Sequence, residues 1–323
     1  MKKKIKRLYY KLGFPIRQYL RGIGALNGLI RRKREDEVYV LLTYNIGDDV
    51  YGLSYVRSLK EKYHEPLTIF CRRDRQRLVE SYDGSYDHIE SLERSSKGWN
   101  EIWAISNSKY LIRKAINNKI FPVLPFHYIP LGLDDGRTEL DYIRTNLFNL
   151  DISSVIQYPS LPEIPITSIE NFENIKQRIV VINPYSLSMD SSMFGFYNKI
   201  SSFLSSEGYL VYTNVVGEQK ALDHSQPLNC SIYEFYSICD KIPLVISTRT
   251  GLMDLCISAK TKFFVFYFPF GDNAYMYPKM SVFYNRFTLK AWGTNNVEEC
   301  VYQDEKTAFS EFELFFDTNF AKK

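Results

Sequence analysis

The stretch VYVLLTYNIGDDVYGLSYVRSLKEKYHEPLTIFC, residues 38–71, decides the fold. Val38 to Thr43 is an apolar run too short for a helix and of the right length for a buried strand. Tyr44-Asn45-Ile46-Gly47-Asp48-Asp49 makes the turn after it. Val50, Leu53, Val56 and Leu59 then recur on one helix face, with Arg57, Lys60 and Lys62 outside. Pro66 to Cys71 (PLTIFC) is the next apolar run. Strand, loop, helix, strand is the unit of a parallel sheet, because parallel neighbours need a crossover connection.

Toward the C-terminus, apolar runs at Glu101–Ile105 and Ile120–Leu124 continue the alternation and predict two more strands. Gln157 to Glu170 (QYPSLPEIPITSIE) is proline-rich without helical period, and residues 157–175 are read as a linker. The pattern then restarts. Strands are expected at Arg178–Asn183, Tyr209–Thr213, Pro243–Ser247 and Lys262–Tyr267, with helices at Met193–Ser205, Ser231–Cys239 and Thr250–Ser258. The expectation is an α/β protein of two Rossmann-like doubly wound domains, residues 38–156 and 176–304, with a C-terminal helix or tail over 305–323. Ligands of such sheets sit beyond the carboxyl ends of the strands, here expected in a cleft between the domains.

Residues 1–37 read as a basic amphipathic arm. Residues 1–34 hold 12 Lys and Arg and no acid, so the other 289 residues carry 29 basic against 37 acidic side chains, a balance of −8. Lys2, Lys3, Lys4, Lys6 and Arg7 alternate with aliphatic and aromatic groups, and Arg31-Arg32-Lys33-Arg34 closes the segment. Cations interleaved with apolar side chains suit an anionic leaflet, and a solvated tail is the alternative. On the first reading the arm is a detachable address, and its removal leaves the body folded. Gly22-x-Gly24 and Gly28 imitate a dinucleotide loop but precede the first strand.

The acidic body argues against nucleic acid as a partner. Five scattered cysteines and the absence of C-x-x-C or H-E-x-x-H argue against a disulfide framework or a zinc site, so no metal is expected. No apolar run approaches the ~20 residues of a membrane span. The expected place is the cytoplasm, peripherally at the inner face of the cell membrane.

Four loops carry chemistry. Gly47 permits close backbone approach, and Asp48 or Asp49 stands at a helix start where a carboxylate takes a proton from an attacking hydroxyl or caps the helix. In Ile246-Ser247-Thr248-Arg249-Thr250-Gly251-Leu252-Met253-Asp254, a strand runs into a helix start, a ready anion site to which Arg249 adds a bidentate clamp. The bland reading pairs Arg249 with an acid. Asn183-Pro184-Tyr185-Ser186 offers further phosphate donors, and Gly217-Glu218 places an acid where Rossmann-like units take ribose hydroxyls. His127 is the one histidine with a neighbourhood that suits a cleft, and a structural role competes.

The Gly-Asp turn opening a helix that ends in Leu59-Lys60, followed by VVINPYS, VVGEQK and LVISTRTGLMDL, resembles the heptosyltransferase-like glycosyltransferase family 9. The resemblance covers most of residues 38–268 and is thin outside those loops. It implies a GT-B-like fold, metal-free transfer from a nucleotide diphosphate sugar without a further cofactor, and Asp48 as base. It further implies Glu218 at the ribose and Arg249, Thr250, Gly251 and Leu252 at the diphosphate. Arg249-Thr250-Gly251 and Asp254 depart from that family's loop, so heptose is not the sugar implied. UDP is the preferred nucleotide and a glycan or polyprenol-linked acceptor of capsule or O-antigen synthesis the implied partner. The changed loop is also similar to those of bacterial fucosyltransferases and polysaccharide pyruvyl transferases. The alternatives are a pyruvyl transferase and a non-catalytic binding protein.

Overall fold

In the computed structural model, the described residues are 14–42, 45–82, 84–93, 103–105, 108–123, 135–186, 193–269 and 280–320, with side chains of the first helix from residue 16. They fall into two compact units that meet in sequence at Ser160 and Leu161, residues 135–138 counting with the second.

The first unit opens with helix α1 (Phe14–Arg32), followed by β1 (Val38–Leu42), α2 (Ile46–Leu53), α3 (Val56–Tyr63), β2 (Leu67–Arg72), α4 (Gln76–Glu80), β3 (His88–Leu92), α5 (Lys109–Asn117), β4 (Ile120–Val123) and a short α6 (Glu139–Tyr142). All strand pairs are parallel, in the order β3-β2-β1-β4. Every residue of β1 is buried, which explains its uninterrupted apolar run. Gly52 lies where α2 crosses β4: a Cβ there would stand 2.6 Å from Val123 Cγ2, so a larger residue would have to displace that side chain.

The third strand is His88–Leu92, whose residues are exposed or half-buried as an edge strand's are. The strand expected at Glu101–Ile105 is absent: Trp103–Ile105 are helical, and the rest of that run lies outside the described residues. Short apolar runs do not distinguish a strand from a buried helical turn.

The detachable arm also needs correction. Ala25, Leu26 and Leu29 of α1 pack into one buried cluster with Tyr39, Leu41, Phe70, Ile105, Leu111, Ala115 and Ile120. A Cβ on Gly22 would stand 2.8 Å from the Ala104 carbonyl oxygen, so that glycine serves helix packing. The second half of the segment is therefore part of the first unit's core, while residues 1–13 lie outside the described residues. Leu26→Ala should lower unfolding free energy by about 2–5 kcal/mol, as fully buried leucines do. Deleting residues 1–34 should expose the cluster, read as dye binding and a lost thermal transition of the first unit.

The second unit runs α7 (Phe172–Ile175), β5 (Ile179–Asn183), α8 (Phe194–Ser206), β6 (Leu210–Asn214), β7 (Gln226–Leu228), α9 (Ile232–Cys239), β8 (Leu244–Thr248), α10 (Gly251–Cys256), β9 (Lys262–Tyr267), α11 (Met280–Phe287), β10 (Val297–Val301) and α12 (Glu305–Phe320). Its six parallel strands are ordered β10-β9-β8-β5-β6-β7. Counted from β5 this is the 3-2-1-4-5-6 order of a dinucleotide-binding sheet, with the reversal of direction between β5 and β8. The edge strands β7 and β10 are additions to the sequence reading. Helix α12 seals the sheet by burying Ala308, Phe312 and Phe316.

The 157–175 segment holds the boundary between Ser160 and Leu161 and is hydrogen-bonded on both sides of it. Gln157 N–H donates to Ser54 O at 2.8 Å and Ser160 N–H to Ser81 O at 2.8 Å, within the first unit. Beyond Leu161, the Thr167 and Ser168 N–H groups donate to Glu234 Oε1 at 2.7 and 2.8 Å, within the second.

Candidate functional site

In the first unit, the turn after β1 lies at the point where strand order reverses, between β1 and β4. Helix α2 starts there with Asn45 as N-cap, and the Asn45 N–H donates to Asp48 Oδ2 at 3.2 Å. This is the reciprocal half of a capping box, which holds the half-buried Asp48 carboxylate in one place. Asp49 is different. It is 1% exposed, with Oδ2 3.5 Å from Arg75 Nε and Oδ1 without a hydrogen-bond partner. Burial pushes its carboxyl well above the ordinary range, the Arg75 guanidinium opposing. The capping role open to Asp49 in the sequence is thus Asp48's, and Asp49 faces inward.

In the second unit the carboxyl ends of β5, β6 and β8 are tied by side chains. Asn183 Nδ2 donates to Ser247 Oγ at 2.9 Å and to Thr250 Oγ1 at 3.5 Å, while Asn214 Nδ2 donates to Asn183 Oδ1 at 2.9 Å. Thr248 Oγ1 donates to Pro184 O at 3.1 Å and lies 2.7 Å from the Tyr197 hydroxyl, whose titration burial pushes upward. The reversal between β5 and β8 is therefore spanned by a satisfied polar network, which fixes the loops that leave it. Asn183, 3% exposed with its amide spent on this network, is a positioning residue and not an outward phosphate donor.

The loops carry the remaining candidates. Tyr185 Oη donates to Lys220 O at 2.5 Å and accepts from Lys220 N–H at 3.1 Å, joining the loop after β5 to the loop after β6. Ser186 is half-buried beside it. Gly217 has φ +62°, the left-handed region that glycine allows, and Glu218 next to it is exposed. Thr250 is the N-cap of α10, and Gly251 and Leu252, its first residues, are half-buried. The first N–H groups of a helix have no partner inside it.

Arg249 is not a clamp for an outside anion. Its Nη1 and Nη2 donate to Asp254 Oδ2 and Oδ1 at 2.9 and 2.7 Å, its Nε to Phe287 O at 2.9 Å, and Nη1 to Thr250 O at 2.7 Å. The side chains of this pair are 4% and 2% exposed. Two opposite charges removed from water must pair, so Asp254 is likewise a partner of Arg249 and not a ligand for the donor. Arg31, Arg32 and Arg34 are exposed at the end of α1 and beyond, and Lys33 is half-buried. Lys2, Lys3, Lys4, Lys6, Arg7 and His127 lie outside the described residues, as do 187–192 and 270–279 near these loops in sequence.

Asn214, Tyr197, Lys220 and Arg75 were not among the sequence candidates, while Ser247 and Thr248 stood in the anion-site run at the end of its strand. A signal existed for Asn214: RIVVIN and LVYTN are both buried strands ending in asparagine. No group of three or more His, Cys, Asp or Glu among the described residues could hold a metal ion.

No protein-family model and no curated protein matches the sequence. Solved structures do match the fold. The chain is similar to the glycosyl transferase family 9 protein from Veillonella parvula, at 11% identity and TM-score 0.55, over 89% of this chain and 90% of that one. It is similar to E. coli heptosyltransferase WaaC with ADP, at 11% identity and TM-score 0.55, over 88% and 99%. E. coli ADP-heptose LPS heptosyltransferase II matches at 10% identity and TM-score 0.54, over 87% and 99%. The chain thus has the GT-B-like α/β fold of these glycosyltransferases, each with its own identity far below that of a close relative.

Proposed function

We propose that this protein is a glycosyltransferase that moves a sugar from a nucleotide diphosphate carrier to a glycan acceptor, lipid-linked, in cell-surface polysaccharide synthesis. The observation that carries the reading is the polar network at the β5–β8 reversal, which fixes three loops where a Rossmann-like sheet takes its nucleotide. The fold supports it, and one protein with that fold, WaaC, holds ADP.

In this reading the diphosphate sits against Thr250, Gly251 and Leu252. Asn183 donates to Thr250 Oγ1, which orients that hydroxyl's own proton toward a ligand. Backbone N–H groups at the α10 start stabilise the charge that develops on the leaving diphosphate. Glu218, exposed beside Gly217, takes ribose hydroxyls. Asp48 draws the proton from the acceptor hydroxyl as its oxygen attacks the anomeric carbon. The carbon–oxygen bond to the diphosphate breaks, and the electron pair leaves with it. Asp49 is too buried to touch an acceptor, which favours Asp48 as base. The mechanism needs no metal, since the residues named supply both base and charge stabilisation.

A thermal-shift screen of the full chain against UDP, GDP, ADP and CMP tests the reading. A nucleoside diphosphate at 100-fold over its Kd should add about 2.7 kcal/mol of stability. UDP is expected to give the largest shift, and turnover should survive EDTA. No shift with any diphosphate, or release of inorganic phosphate from phosphoenolpyruvate, would overturn it.

A further inference from the structure

We infer that α1 and α5 together form a docking face for an anionic lipid bilayer, with Ile16, Leu20 and Tyr110 entering the interface between cationic side chains. The inner side of α1 is settled: Gly22, Ala25, Leu26 and Leu29 are buried in the first unit. At ~100° per residue, Ile16 and Leu20 point roughly 150° away from that side. They are 59% and 61% exposed, and Tyr19 beside them 37%. Of the eight exposed large apolar side chains among the described residues, these three fall within five positions, so the exposure is concentrated and not scattered. Arg17, Arg21 and Arg31 are exposed on the adjoining flank.

Helix α5 adds a second exposed cationic side to the first unit. It packs on α1 through Leu111 and Ala115 in the shared core, and Lys114 Nζ donates to Asn27 Oδ1 at 3.0 Å. Its outer side presents Tyr110, 63% exposed, between the exposed Lys109 and Arg113. No acid occurs in residues 1–34 or 102–119, although the rest of the chain is net acidic. Exposed aliphatic and tyrosine side chains set among cations, on helices anchored from the other side, match the boundary between anionic headgroups and acyl chains. A soluble acidic protein would complement the charge but leave Ile16 and Leu20 without a partner. No described helix is long and apolar enough to cross a membrane, so the contact is with the surface.

Co-sedimentation of the full chain with vesicles tests this without any need for turnover. Binding is expected to vesicles containing phosphatidylglycerol, not to phosphatidylcholine alone, and to weaken as salt rises. Arg17→Gln with Arg21→Gln should reduce the partition coefficient about fivefold per arginine, from ~1 kcal/mol each at an anionic surface. Ile16→Ser with Leu20→Ser should reduce it roughly tenfold or more with the charge intact. The altered side chains are exposed, so each pair should keep the parent's circular dichroism and thermal midpoint. Absence of vesicle binding would overturn the inference, as would binding unchanged by both pairs, which would leave residues 1–13 as the anchor. Unchanged vesicle binding with a change of mass in light scattering would instead make this face a contact between copies.

Discussion

Asp48→Asn is expected to lower turnover by roughly 10²–10⁴-fold while leaving stability and nucleotide affinity nearly unchanged. The amide oxygen of asparagine can still accept the Asn45 N–H, so the helix start keeps its capping bond. What it loses is the capacity to take a proton. A loss of turnover without a loss of stability therefore separates a base from a cap. Asp49→Asn should do the converse, with turnover retained and stability altered as a function of pH. The folded-state carboxyl of Asp49 is raised above its unfolded value by burial, with Arg75 opposing. Its stabilising contribution is thus complete below the unfolded value of about 3.9 and is lost as pH rises through the folded value. At neutral pH the variant should be at least as stable as the parent, the difference shrinking on acidification toward about pH 4. Urea unfolding from acid to neutral pH checks the second result, and single-turnover sugar transfer the first. If Asp48→Asn turns over normally, Asp48 is only a cap and the proposed base is wrong.

Both sheets were legible because parallel central strands are buried on two faces and read as unbroken apolar runs, as in VYVLL and KFFVFY. The edges were not. HIESL and VEECV carry acids at exposed positions, Glu90 and Glu298, and QPL contains a proline that only an edge strand tolerates. The arm failed for a related reason. Its charge is visible in the sequence, whereas Ala25, Leu26 and Leu29 become a core only against residues far along the chain. At the site, the loops at the sheet reversals were legible from the turn residues that follow each strand. Which polar groups face inward was not. Arg249 and Asp254 are five residues apart, and nothing local to either tells that the guanidinium turns to the carboxylate and not to a ligand.

Arg249→Ala is accordingly expected to cost about 3–5 kcal/mol of stability, because it strands the Asp254 carboxylate in a buried site. It also removes the donors to Phe287 O and Thr250 O, so α11 and the start of α10 lose a shared tie. Nucleotide affinity should fall as a consequence, since Thr250, Gly251 and Leu252 leave the positions they hold in the parent. Arg249→Lys should recover little, because an ammonium cannot reproduce the two-pronged contact with Asp254. The decisive variant changes both partners. Arg249→Met with Asp254→Leu replaces the buried pair by apolar side chains, an exchange that elsewhere is neutral or stabilising. It should restore most of the stability lost in Arg249→Ala and, with the loop re-formed, much of the nucleotide affinity. Urea unfolding followed through Trp292, fully buried in the second unit, reads the stability, and titration with the nucleoside diphosphate reads the affinity. A direct diphosphate clamp behaves otherwise. Arg249→Ala would then keep its stability and lose affinity, and the double variant would recover none of it, because methionine offers no donor to a phosphate.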